Sequence, residues 1–167
     1  FLATLFVSRY YKDTYWSMTL VEVIDFIGMT AGGILIGAWG GFKNRMKTLT
    51  VGLIAFGTLA IGMGAVDSFA VYLLLMAVYG VALTMVQTAS TTLLQEQSSP
   101  PMQGRVFGLF GAMYSGFLPL GMAVFGPLAD VVSLRLLMIL SGLLLLAMAA
   151  IILLNRKFYF HSAKNAE

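Results

Sequence analysis

A hydrophobic run over residues 16–39 reads WSMTLVEVIDFIGMTAGGILIGAW, and it decides the fold class of the chain. An α-helix needs about 20 consecutive apolar residues to cross the hydrocarbon core of a bilayer, so this run is long enough to span. It nevertheless contains two carboxyl side chains, Glu22 and Asp25. A charge at the centre of a spanning helix costs about 2.5–3.5 kcal/mol on insertion scales, so the two acids require an explanation.

The whole chain is too apolar to cover a water-facing surface. Of its 167 residues, 59% are hydrophobic and 10% are charged, whereas about a quarter of the residues in a soluble domain are charged. Further apolar runs cover residues 48–66, 69–94, 105–129 and 134–154. We therefore predict an all-α integral membrane protein with about five full transmembrane helices plus the end of a sixth, in residues 1–8. Residues 1–155 are expected to form this membrane unit, truncated at its N-terminus, and residues 156–167 a cytoplasmic tail.

The distribution of basic residues predicts the orientation of the chain. With this order of spans, seven Lys and Arg residues fall on one side and three on the other. Cytoplasmic loops carry the excess of basic residues, so we expect a multi-pass protein of the cell membrane whose C-terminus is cytoplasmic. The larger group comprises Lys43, Arg45, Lys47, Arg105, Arg156, Lys157 and Lys164, and the smaller group comprises Arg9, Lys12 and Arg135. Bases scattered in this way do not predict nucleic-acid binding.

The residue inventory argues against enzymatic chemistry. The chain has no Cys, and its single His, His161, lies in the tail. No grouping of residues has the composition of a metal centre or of a nucleophile with its base. We therefore predict no enzyme activity, no metal and no cofactor.

Regularly spaced small residues predict where helices pack. Gly28 and Gly32 stand four residues apart, Gly33 begins a second series, and Gly108 and Gly116 belong to a third series in the fourth predicted span. Small residues let helix backbones approach closely in lipid. Static packing and sliding contacts fit this spacing equally well.

Polar side chains recur on one face of the third predicted span, where Thr84, Gln87, Thr88 and Thr91 follow the helical period. Polar groups are costly against lipid, so this face is predicted to meet a substrate cavity or a partner helix. A threonine hydroxyl can also bond to a carbonyl of its own helix, which leaves Gln87 as the strongest candidate for lining a cavity.

Glu22 and Asp25 allow two interpretations. Ionisable residues within a span are functional by default, so these acids are candidates for carrying protons or holding an organic cation. Alternatively, they form a structural ion pair, for example with Arg135 or Lys12, or stay permanently protonated. The sequence does not choose between the two acids.

The loop over residues 37–47 reads GAWGGFKNRMK. It resembles the loop signature of the major facilitator superfamily, Gly-x-x-x-Asp-Arg/Lys-x-Gly-Arg-Lys/Arg. Gly37 matches the leading Gly, Arg45 matches a basic position after the turn, and Asn44 takes the place of a Gly. Gly41 stands where the family has Asp, a degeneration typical of the copy in the C-terminal half.

Residues 95–108 are similar to the loop before the eleventh helix in the drug-efflux branch related to macrolide efflux proteins. Pro119, and then Gly126 with Pro127, continue this similarity along one span. We also expect all three to shape helix packing, and the two prolines to break the helix. The resemblance covers about residues 16–145. It implies the C-terminal half of a twelve-helix permease, whose partners are the N-terminal half, membrane lipid, a small-molecule substrate and protons.

The resemblance favours proton-coupled efflux of small amphipathic compounds by alternating access between two rocking halves. Glu22 and Asp25 are then the proton-coupling candidates, and Tyr114 joins Gln87 as a possible cavity contact. Arg45 is either a cytoplasmic gate or a topology anchor. Two other functions stay open: import of a nutrient or lysolipid by symport, and a membrane scaffold or receptor that transports nothing.

Overall fold

A computed structural model describes residues 2–11, 14–40 and 44–154. These residues form six α-helices, and α2 to α6 are each long and apolar enough to cross a membrane. The helices are α1 Leu2–Tyr10, α2 Thr14–Trp39, α3 Arg45–Ala65, α4 Phe69–Gln97, α5 Gln103–Val131 and α6 Leu134–Leu154, with a 3-10 turn at Pro100–Met102. The predicted all-α membrane fold is therefore confirmed. The predicted tail, at residues 156–167, lies outside the described residues.

Short breaks in the helices follow from local chemistry. Gly40 ends α2 with a φ of 75°, which glycine adopts without strain. Asn44 begins α3, because its side-chain oxygen accepts a hydrogen bond of 3.0 Å from the backbone N–H of Met46. At the opposite end of the bundle, only residues 66–68 separate α3 from α4, so these two helices are antiparallel neighbours.

Helices α2, α3, α4 and α6 pack through glycine positions. A Cβ atom at Gly28 would overlap the backbone carbonyl of Ala77, and one at Gly32 would lie 2.9 Å from the Cα of Val81, which confirms close packing of α2 on α4 at this pair. Gly142 of α6 meets the backbone of α3 in the same way. Glycines therefore bring the helix axes close where bulkier side chains would separate them.

Helix α5 lies apart from this packed group. All residues from 108 to 120 are exposed, and Cβ atoms at Gly108, Gly116 and Gly126 would find no neighbour within 4 Å. Gly33 of α2 faces open space in the same way. The packing roles predicted for these glycines are not realised within the described chain, and they stay predictions about a surface beyond it.

The two prolines of α5 do not end the helix. Pro119 and Pro127 both lie inside a single α-helix that continues to Val131, so the predicted break at these positions is wrong. A proline removes one backbone donor and crowds the preceding turn. Residues 108–120 around Pro119 are exposed, so the described chain leaves the helix room to adjust there, whereas Pro127 lies two residues before the buried Ala129.

Candidate functional site

The central cavity is a space of about 420 Å³ to which all six helices contribute lining residues. Glu22 and Asp25 of α2 line it together with Phe56 of α3, Tyr79 of α4 and Ser141 of α6. Helix α5 adds the segment around Phe117–Phe125 as a further wall. Most of the lining is apolar, and its polar groups are few, as in many small-molecule sites.

Asp25 is the residue with the most unusual surroundings in the central cavity. It lies near the middle of the 26-residue helix α2 and is half-buried. Its Oδ1 atom is buried and accepts no hydrogen bond from any described residue. A buried oxygen without a partner costs free energy, so the position is unfavourable unless something else satisfies it.

Gly80 fixes the place of Asp25 against α4. A Cβ atom at Gly80 would lie 2.5 Å from the backbone oxygen of Asp25 and 3.0 Å from its Oδ1. Only glycine therefore lets α4 approach α2 this closely at the level of the acid. Gly80, which the spacing of small residues did not single out, thus both lets the two helices pack and positions a cavity side chain.

Glu22 lies nearly one helical turn before Asp25 and is more exposed. The structural ion pair that the sequence left open for these acids is not formed with Arg135, which pairs with Asp67 instead. Lys12, the other possible partner, lies outside the described residues. Among the residues that line the central cavity in the described chain, none is Lys, Arg or His.

The polar face predicted on α4 does not line the central cavity. The Thr84 hydroxyl donates to the backbone oxygens of Met29 at 3.1 Å and Gly80 at 3.0 Å, so it belongs to the contact between α2 and α4. The Thr91 hydroxyl donates to the Gln87 backbone oxygen at 2.7 Å, the local bond open to threonine in a helix. Gln87, Thr88 and Thr91 are exposed. Contact of these three with a substrate stays a prediction.

Tyr114 lines a second, more open hollow of about 460 Å³ on α5. Phe117 and Leu118 line this hollow and the central cavity, so the two spaces share a wall. Tyr114 is therefore near the central cavity without lining it. Its predicted contact with a substrate remains a prediction.

Arg45 of the loop signature forms an ion pair with Glu96. Arg45 donates from Nε to Glu96 Oε1 at 3.2 Å and from Nη1 to the Gly40 backbone oxygen at 2.7 Å, which ties the ends of α2 and α4 to the start of α3. Gly37 is exposed, with open space where a side chain would be. Gly41 lies outside the described residues. Both roles predicted for Arg45, a cytoplasmic gate and a topology anchor, stay predictions.

The opposite end of the bundle, which carries residues 9–11, 66–68 and 132–133 and is called the turn end, holds an aromatic cluster. Its members are Phe6, Tyr10, Tyr11, Phe69 and Tyr72. Phe6 stacks on Tyr10 at 4.4 Å and on Tyr72 at 5.6 Å between ring centroids. The Tyr72 hydroxyl donates to the backbone oxygen of Ala3, a cavity-lining residue, so the cluster is joined to the wall of the central cavity.

Ion pairs surround this aromatic cluster. Arg135 binds Asp67 and lies over the Tyr10 ring, 5.2 Å from its centroid. Arg9 binds Asp130, and its second nitrogen donates to the Ala129 backbone oxygen at 2.7 Å, which fastens the end of α5 to α1. Burial raises the pKa of Tyr11 above its ordinary value, and the nearby Asp67 carboxylate raises it further.

Sequence reasoning missed the uncharged residues of the central cavity. Phe56, Tyr79 and Ser141 stand in apolar runs where nothing in the spacing distinguishes them from lipid-facing neighbours. Only the packing of α3, α4 and α6 shows which side of each helix faces the cavity. Of the cavity residues, the sequence indicated only the acids Glu22 and Asp25, because a carboxyl group within an apolar span is unusual whichever way it faces.

Comparisons with known proteins agree on the class of this chain. The sequence model of the Major Facilitator Superfamily matches residues 1–166. The chain is 28% identical over 144 residues to macrolide efflux protein A of Streptococcus pyogenes, covering 85% of this chain and 36% of that protein. It is 29% identical over 115 residues to macrolide efflux protein A of Enterococcus faecalis, covering 68% of this chain and 36% of that protein. The aligned part is thus little more than a third of each relative's length, and no solved structure gives a significant match.

Proposed function

The chain belongs to the Major Facilitator Superfamily, and on that premise we propose that it is half of a secondary transporter that exports small amphipathic compounds in exchange for protons. The similarity to two macrolide efflux proteins supports the direction of transport. The proposed partner is the N-terminal half of the same permease. The two halves would rock about a shared site, exposing it to each side of the membrane in turn.

The observation that carries this proposal is the carboxyl of Asp25 in the central cavity. Its Oδ1 has no hydrogen-bond donor among the described residues, and a proton or a cationic substrate would satisfy it. Glu22 lines the same cavity nearer the turn end and offers a second site for a proton. If a proton and a substrate replace one another at Glu22 and Asp25, entry of the proton would be coupled to exit of the substrate.

The open faces of this half support the proposed partner. Gly33 of α2, and Gly108 and Gly116 of α5, have room for another helix where the described chain supplies none. Tyr114 and the hollow around it would then become an inner surface between the halves. Such a contact would give these small residues the packing role that their spacing predicts.

The proposal is tested with the intact permease in liposomes, by following substrate movement driven by a proton gradient. We expect Asp25→Asn and Glu22→Gln each to reduce coupled transport at least tenfold, with Asp25→Glu, which keeps an acid, retaining more of it. Expression in the membrane should be unchanged in all three. Coupled transport that persists when both acids are replaced would refute their role, and accumulation in the opposite direction would favour import.

A further inference from the structure

A stacked aromatic pair forms part of the central cavity wall. The rings of Phe56 in α3 and Tyr79 in α4 have centroids 4.2 Å apart and planes inclined by 27°. Both residues line the cavity that contains Glu22 and Asp25. Because the rings come from different helices that pack tightly, the packing of α3 on α4 fixes where the pair lies.

The charge of the central cavity favours a positive ligand. Two carboxyl groups line it, and no basic side chain of the described residues does. The face of an aromatic ring is electronegative, and it attracts a cation lying within about 6 Å of the ring centroid. One face of each ring is covered by the other ring, so an outer face that meets the cavity would attract the same kind of ligand as the two carboxylates.

The remaining lining suits the apolar part of such a ligand. Met63, Met76, Met122 and Met138 line the cavity. Methionine side chains are flexible and polarizable, so they adapt to ligands of different outline and make favourable contacts with aromatic rings. A compound with an aromatic body would therefore pack well against this wall.

We propose that Phe56 and Tyr79 are specificity-determining residues, which make the central cavity select an organic cation with an aromatic body over a neutral compound of similar size. The inference rests on the proposed function, because it takes the cavity to be the site where the substrate binds. It adds a substrate class and assigns the selection to two uncharged residues.

The test measures binding of tritiated tetraphenylphosphonium, a permanent cation with four phenyl rings, to the intact permease in detergent. Phe56 is replaced by phenylalanines carrying one, two and three fluorine atoms, which nearly preserve ring volume while reducing the negative charge of the ring face. We expect Kd to rise stepwise along this series. Phe56→Leu and Tyr79→Leu should weaken binding roughly two- to thirty-fold, whereas Tyr79→Phe should stay within about twofold.

Two controls separate this selection from general packing. Phe26→Leu replaces an exposed ring of α2 that does not line the cavity, so it should leave Kd unchanged. Triphenylphosphine oxide, a neutral relative of the probe, should compete weakly and be insensitive to fluorination. The inference is overturned by a flat fluorination series, by equal weakening of both compounds, or by no binding of the cation. Graded binding without proton-driven export would overturn the proposed function alone.

Discussion

Replacing Gly80 by Ala gives the sharpest test of how the cavity acid is held. The new Cβ would lie 2.5 Å from the Asp25 backbone oxygen, 2.8 Å from the Met29 backbone nitrogen and 3.0 Å from Asp25 Oδ1. Ordinary van der Waals contact begins at 3.4 Å, so α2 and α4 must separate by about 0.9 Å. The close neighbours are mostly backbone atoms, which cannot rotate away as a side chain can.

The expected cost of Gly80→Ala is about 1–3 kcal/mol, the usual range for overpacking a tight contact. Alanine also has a higher helix propensity than glycine, by about 1 kcal/mol in water, and this gain must be subtracted. Gly62→Ala is the matched control, because its Cβ would meet only the Leu75 side chain at an ordinary 3.6 Å. Both substitutions carry the same propensity gain, so their difference isolates the effect of the close approach.

The assay is reversible unfolding of the intact permease in mixed micelles, followed by proton-driven transport in liposomes. Gly80→Ala should be less stable than Gly62→Ala by about 1–3 kcal/mol, and it should lose coupled transport because Asp25 is displaced. Equal stabilities for the two variants would refute the close approach of α4 to α2. Loss of stability with unchanged coupling would refute the claim that Gly80 positions the acid.

Three further predictions concern the ends of the helices. The raised pKa of Tyr11 means that the folded protein keeps this proton at a pH where the unfolded chain releases it. Stability should therefore fall as pH rises above about 10, and Tyr11→Phe should reduce that fall in unfolding measured against pH. This chain has no Cys, so Ser68→Cys and Ser99→Cys can be introduced one at a time into a permease whose other half has had any cysteine replaced. A membrane-impermeant maleimide applied to whole cells should react with the first variant and not with the second. The reverse result would invert the predicted orientation. Asn44→Ala removes the cap of α3 and should cost about 1 kcal/mol, whereas Asn44→Asp, which can still cap, should cost less in the same unfolding assay.

The transmembrane spans could be predicted because the thickness of the bilayer sets the length of apolar helix needed to cross it. The fifth predicted run, residues 134–154, coincides with α6, and the other full runs differ from the helices by a few residues at their ends. The similarity to macrolide efflux proteins, indicated by residues 95–108 and the Gly126–Pro127 pair, is confirmed by the comparisons. Hydropathy and local motifs are properties of the sequence itself, so one sequence is enough to find them.

The arrangement around the cavity could not be predicted in the same way. Thr84 bonds across to α2 as well as within α4, while the Thr91 bond stays within α4, although the two share a face by spacing. Pro119 is expected to break a helix, yet α5 continues through it, and the surrounding residues 108–120 are exposed in the described chain. These outcomes depend on how helices are rotated and how far apart they lie, and apolar runs leave both undetermined.

The composition of the turn end has a consequence for how salt acts on the protein. The ion pairs there join exposed side chains, and the range of such interactions shrinks from about 8 Å at physiological ionic strength to about 3 Å in 1 M salt. Stacked rings such as Phe6 and Tyr72 are held by apolar contact, which salt does not screen. The packing of the aromatic cluster should therefore persist in 1 M salt, which weakens only the contribution of the ion pairs around it.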